Sequence, residues 1–175
     1  MTDNSLENML DFDHPAHQRA HKFLVEEAYV LDRRDFDTWL KMMTDDITYR
    51  VPVTSTFGSN PHKSGEMDHM LEDRYSLGKR IERLKSKYAW TESPPSRTRH
   101  LVSNVACFST DDDAETRVMS ALLVYRTQGA DQGPDLICGM REDILRNHAG
   151  QLQLAARTVT LDQSVLQTQN LAIFL

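Results

Sequence analysis

"LVSNVACFSTDDDAETRVMSALLVYRT", Leu101–Thr127, is the stretch on which the fold turns. Two apolar runs, Leu101–Phe108 and Thr116–Thr127, flank the polar segment STDDDAE. Seven residues are too few for the crossover that parallel strands need, so the runs pair antiparallel. The pattern repeats downstream. QGADQGP is a second turn, Leu136–Arg146 a third strand, NHAG a third turn, and Leu152–Asp162 a fourth strand. Consecutive strands joined by short polar connections form a meander.

Upstream the period changes from two to that of a helix. Ala20, Phe23, Leu24, Ala28 and Leu31 follow one helical face, with His14-Pro15 as the lead-in. Phe36, Trp39, Leu40 and Met43 mark a second short helix, capped by Asp35. Ile47, Tyr49, Val51 and Val53 alternate as a strand, in which Pro52 indicates an edge or an end. Residues 54–66 read as loop. A longer helix follows, with Leu77, Ile81, Leu84 and Tyr88 on its buried stripe and Met70 and Leu71 upstream. Helices first and sheet afterwards predict an α+β fold, the helices covering one sheet face. Residues 1–13 read as a flexible arm and 14–175 as a single domain, a length that suits one core.

A net charge of −6 provides no overall basic footprint for nucleic acid or an anionic membrane. No apolar run approaches the ~20 residues that span a bilayer, and the acidic opening residues are unlike a secretory signal. Cys107 and Cys138 make no disulfide framework and read as small apolar residues of a reducing compartment. These features predict a soluble, cytoplasmic protein.

Chemistry-bearing motifs are sparse. GxGxxG, Walker and GxSxG patterns are absent. His17 and His21 stand four apart on a helix but lack the order of a zinc site, so no metal site is expected. Two constellations remain. On the strand from His100, even positions share a face, so His100 and Asn104 project together; with Asp35 and Tyr49 they would suit a proton-transfer pocket. The other is the cationic lead-in to that strand, "SPPSRTRHLVSNV", Ser93–Val105. Arg97 and Arg99 point the same way in extended chain, Pro94 and Pro95 stiffen the approach, and Trp90 precedes it as an anchor. Together with His100 these residues suit a surface that pairs with carboxylates of a partner. The chain ends in NLAIFL, an apolar segment expected to dock on its own sheet or on another subunit.

Five stretches also carry a family resemblance: EEAYVLDRRDFDTWLKMMTDDITYRVPV (Glu26–Val53), AWTESPPSRTRHLVSNV (Ala89–Val105), LLVYRTQ (Leu122–Gln128), REDILR (Arg141–Arg146) and RTVTLDQSVLQTQNLAIFL (Arg157–Leu175). In this order they resemble the small, or beta, subunit of bacterial aromatic-ring-hydroxylating dioxygenases. The resemblance implies a ketosteroid-isomerase-like (cystatin-like) cone. It implies a mostly structural, non-catalytic subunit, in a hexamer of three large (alpha) and three small chains. It places a Rieske [2Fe-2S] cluster and a mononuclear Fe(II) in the alpha partner, none in this chain. NADH, through a reductase, would supply the electrons that add O₂ to an arene as a cis-dihydrodiol. The competing expectation is a free-standing isomerase or dehydratase using Asp35, Tyr49 and His100. The sequence does not name the arene.

Overall fold

The computed structural model describes residues 8–54, 64–86, 92–129, 133–163, 168 and 171–175. Helix α1 spans Pro15–Asp32, with His14 as its cap and Pro15 in the first turn, where a missing N–H costs nothing. Its stripe of Ala20, Phe23, Leu24 and Leu31 is buried, and Glu27 lies in the same stripe. Helix α2, Phe36–Lys41, starts at Asp35, whose Oδ1 accepts from the Thr38 amide at 3.2 Å. Hydrogen bonds from the Thr38 side chain and backbone hold the Asp35 carboxyl below its ordinary range.

Strand β1, Met43–Thr54, begins earlier than its alternation announces. Met43 opens this strand instead of closing α2. Part of the segment expected as loop is strand: β2, Ser64–Glu72, pairs antiparallel with β1, and Met70 and Leu71 belong to it. Residues 55–63 lie outside the described residues. Helix α3, Arg74–Lys85, is held at its start by a reciprocal cap between Asp73 and Ser76, and buries Leu77, Ile81 and Leu84. Tyr88 lies outside the described residues.

The predicted meander follows as β3 (Arg97–Ser109), β4 (Glu115–Thr127), β5 (Asp135–His148) and β6 (Gln151–Leu161). The six strands form one curved sheet in the order β2-β1-β6-β5-β4-β3, antiparallel except where β1 meets β6. Pro52 is therefore not on an edge strand. It sits at a register shift against β2, past Arg50↔Thr158, the last register pair with β6, so its missing N–H breaks no pairing on that side.

Helix α1 crosses the concave face at β3, β4 and β6, and the core lies between. A bulge between Ser103 and Ala106 reshapes β3. Asn104, at φ 51°, is the residue displaced. The bulge corrects the expected alternation: His100 and Val102 face inward, but beyond it Val105 and Cys107 take over the core face and Asn104 is exposed. Residues 8–10 run along β3, with the Leu10 amide donating to Cys107 at 2.8 Å, so this part of the expected arm is tied to the sheet. Cys107 is fully buried, and burial pushes its thiol up to about 11; Cys138 is only half-buried.

Candidate functional site

Polar side chains stand in the cone's interior where the local periodicities call for apolar ones. Glu27 occupies the buried stripe of α1 between Leu24 and Leu31. Odd positions of β5 point inward, which places Arg141 and Asp143 between Gly139 and Leu145. Arg157 takes the equivalent place on β6 beside Val159, and Tyr49 on β1 between Ile47 and Val51. Arg157 donates through Nη1 and Nη2 to the two oxygens of Glu27 at 2.7 Å each, and through Nε and Nη2 to Asp143 at 2.8 Å each. Arg141 Nη2 donates to Glu27 at 2.9 Å and to Asp143 at 3.2 Å, and the Trp39 indole donates to Glu27 at 3.0 Å.

Two guanidiniums thus face two carboxylates. Burial pushes the Glu27 carboxyl up, but Arg157 and Arg141 outweigh it and bring it down to about 2. Burial pushes the Arg157 guanidinium down, and the Asp143 and Glu27 carboxylates reverse this and hold it above its ordinary value. Glu27 and Arg157 therefore stay ionised against each other, and neither is a proton carrier near neutral pH.

Residues 171–175 close the interior. Ala172, Ile173, Phe174 and Leu175 are buried, and the Phe174 ring lies 4.2 Å from Trp39 and 5.4 Å from Phe36. A main-chain oxygen of Leu175 accepts from Tyr49 Oη at 2.8 Å and from Arg157 at 3.1 Å, and its amide donates to the same Tyr49 oxygen at 2.8 Å. His100 Nε2 meets the Phe174 carbonyl at 3.0 Å, and Nδ1 meets Asp32 Oδ1 at 2.7 Å. Both ring nitrogens thus face acceptors, one on α1 and one on the 171–175 segment.

The cationic lead-in divides by side. Ser96 and Thr98 point inward, Arg97 and Arg99 outward. Ser96 joins a buried cluster in which Glu92 accepts from Arg34 at 2.8 Å, Arg126 at 2.9 Å and the Ser96 hydroxyl at 2.8 Å. Thr98 donates to Asp32 at 3.2 Å. Arg99 is 71 % exposed; it lies 3.7 Å from Asp32 and donates to the Thr98 carbonyl. Arg97 makes no ion pair among the described residues. Pro94, after a cis peptide bond, and Pro95 are exposed, and Trp90 lies outside the described residues.

The outward side of β3, β4 and β5 continues from these arginines as an apolar band. Arg99, Tyr125 and Leu136 stand in one cross-strand row, Leu101, Leu123 and Cys138 in the next, and Ser103, Ala121 and Met140 in a third. Leu101, Tyr125, Leu136 and Met140 are 40–54 % exposed. A groove of about 660 Å³ between α1 and β3 opens onto the same edge, lined by Tyr29, Arg99 and Leu101.

Of the four residues expected to share a pocket, the structure brings two together: Tyr49 and His100 grip neighbouring residues of one segment. Asp35 is an exposed helix cap, and Asn104 is exposed on the bulge. The carboxylate that meets His100 is Asp32. The His100 side chain is only 3 % exposed, and His100 also lines the groove between α1 and β3. His17 is buried with Nε2 3.3 Å from the Val105 carbonyl, while His21 is exposed, so the two do not share a ligand site. No group of three or more His, Cys, Asp or Glu side chains suited to a metal occurs among the described residues. Sequence reasoning missed Glu27, Asp32, Arg141, Asp143, Arg157, Glu92 and Arg126. The signal for four of them was present: Glu27, Arg141, Asp143 and Arg157 interrupt apolar faces in phase.

The fold and interior define a class, an α+β cone filled by its own residues. A family profile described as ring hydroxylating beta subunit matches residues 26–168. The beta subunit of benzene 1,2-dioxygenase from Pseudomonas putida is 34 % identical over 160 residues, 87 % of this chain and 85 % of that one. The beta subunit of N,N-dimethyl phenylurea N-demethylase from a Sphingobium species is 34 % identical over the full length of both. Among solved structures, a chain of naphthalene 1,2-dioxygenase superposes with a TM-score of 0.85 at 23 % identity, covering 98 % of this chain and 92 % of its own. A putative scytalone dehydratase from Novosphingobium aromaticivorans shares the cone, with a TM-score of 0.60 at 16 % identity over 83 % of each chain. The chain belongs to the beta subunits of aromatic-ring-hydroxylating dioxygenases, oxidoreductases that work as multi-subunit complexes. The expectation of a free-standing isomerase is not favoured, since the family is that of a subunit and the chain's own residues fill the would-be pocket. No helix among the described residues is long and apolar enough to cross a membrane.

Proposed function

We propose that this chain is the non-catalytic assembly subunit of a cytoplasmic oxygenase, and that the outward face of β3–β5 with Arg97 and Arg99 is its contact surface for the alpha subunit. The observation that carries this is the apolar band of Leu101, Tyr125, Leu136 and Met140, flanked by two outward guanidiniums. Such a band, with cations at its edge, suits a partner presenting apolar side chains and carboxylates. The complex would hold three alpha and three beta chains. The scattered histidines here do not fit a Rieske or mononuclear iron site, so both centres belong to the alpha partner, which takes electrons from NADH through a reductase. The alpha subunit would add O₂ to an arene to give a cis-dihydrodiol. Relatives of equal identity serve a benzene dioxygenase and an N-demethylase, which supports placing the choice of substrate in the partner.

The test is co-expression with the alpha subunit followed by size-exclusion chromatography. Leu136→Asp or Arg97→Glu is expected to release the beta chain from the complex while circular dichroism of the free beta chain stays unchanged. A variant pair that still co-elutes as the full complex overturns the assignment of this face.

A further inference from the structure

Residues 171–175 sit in the cone in the manner of a bound ligand. An aromatic ring enters a slot walled by Trp39 and Phe36, and main-chain oxygens of two successive residues meet His100, Tyr49 and Arg157. These partners are side chains from α2, β1, β3 and β6, not a neighbouring strand. Three of them are also held by the scaffold. Asp32 meets His100 on its other nitrogen, Glu27 and Asp143 fix Arg157, and Glu27 accepts from the Trp39 indole. None of these supporting bonds involves residues 171–175. A receptor whose first layer is oriented by a second layer is built before its occupant arrives.

We infer that the cone contains a binding site for an aromatic ring bearing hydrogen-bond-accepting oxygens, and that residues 171–175 occupy it in cis. The ring slot supplies affinity through aromatic contact. The three polar side chains supply orientation, and they discriminate against a ligand without acceptors, because an unoccupied buried donor is costly. The tether keeps the site closed. A segment joined to its receptor competes at a high effective concentration, so a free ligand gains access only when the cis contact is weakened.

The pentapeptide Leu-Ala-Ile-Phe-Leu, the sequence of residues 171–175, is the probe, and the full chain is the receptor. Phe174→Ala removes the ring of the cis competitor and leaves every receptor residue in place. Binding is read from Trp39 fluorescence in a Trp90→Phe background, since the chain has 2 tryptophans. The Phe174→Ala chain is expected to bind the peptide saturably at one per chain, at least about tenfold tighter than the unsubstituted chain does. N-acetyl-phenylalaninamide should compete, and a peptide carrying alanine in place of phenylalanine should not. If the Phe174→Ala chain is unfolded alone, restoration of its circular dichroism by the peptide but not by the alanine peptide supports the site equally. A folded variant that does not distinguish the two peptides overturns the inference. So does an unfolded one that saturating peptide fails to restore; residues 171–175 are then ordinary core.

Discussion

Glu27 and His100 show how a single buried polar side chain can be structural. Glu27 accepts from Arg141, Arg157 and Trp39 at once, so its removal leaves two buried guanidiniums facing one carboxylate. Glu27→Gln is expected to cost ~3–5 kcal/mol, read as a lower urea midpoint. The pH dependence has a definite sign. The Glu27 carboxyl titrates at about 2 in the folded chain against an ordinary 4.5, so the unfolded chain binds the proton first as pH falls. Its contribution is complete above about pH 4.5 and is lost between there and pH 2, an amount on the order of 3 kcal/mol. Urea midpoints at pH 7, 4 and 3 should fall for the native chain, and fall less steeply for Glu27→Gln. His100→Ala leaves Asp32 and the Phe174 carbonyl without their ring partner and should cost ~1–3 kcal/mol. In the assembled enzyme the rate per intact complex should be unchanged. A fully assembled His100→Ala enzyme slowed by ~10²-fold would instead assign His100 to acid–base chemistry.

At the scale of elements, strand contacts set the tolerances. Gly139 on β5 faces Leu161 on β6, and a Cβ there would lie 2.5 Å from the Thr160 carbonyl oxygen, a backbone atom that cannot turn aside. Gly139→Ala therefore forces the two strands apart. We expect a loss of ~1–3 kcal/mol, measurable as a fall in Tm. The β3 bulge gives the opposite test. Asn104 holds φ 51°, which asparagine tolerates and alanine resists. Asn104→Gly should be neutral or slightly stabilising, and Asn104→Ala destabilising by ~1 kcal/mol, with no change in assembly. A catalytic Asn104 would instead lose rate with either substitution.

At the scale of the whole molecule, interior and exterior divide the work. The inside is committed to itself, with paired charges, stacked rings and a docked segment. The outside presents the apolar band and Arg97 and Arg99. The two arginines should behave differently. Arg97→Glu removes a cation without an ion-pair partner among the described residues, so its effect should be confined to assembly. Arg99→Glu also places a carboxylate near Asp32, where the Arg99 guanidinium lies 3.7 Å away, and should lower the stability of the isolated chain as well. Chromatography of the complex and thermal melting of the lone subunit separate the two effects.

Period and punctuation in the sequence determined most of the architecture. The alternating runs after Pro95 dictate the meander, because short polar links allow only antiparallel neighbours, and the stripe from Ala20 to Leu31 dictates a helix laid on the sheet. The family was legible as well, in the stretches around Ser93–Val105 and Arg157–Leu175. Tertiary structure decided the rest. Strand β2 was hidden because loop-like residues precede it and only pairing with β1 makes it a strand. The bulge at Asn104 shifted the phase of β3, and a one-residue shift exchanges faces, so Asn104 left the interior that alternation assigned it. The partner of His100 is Asp32 and not Asp35, because the end of α1 is packed against β3 while α2 turns its cap to water. Nor did the apolar ending NLAIFL show where it docks. That depends on Tyr49, His100 and Arg157, residues from three strands far apart in the chain, converging on one place.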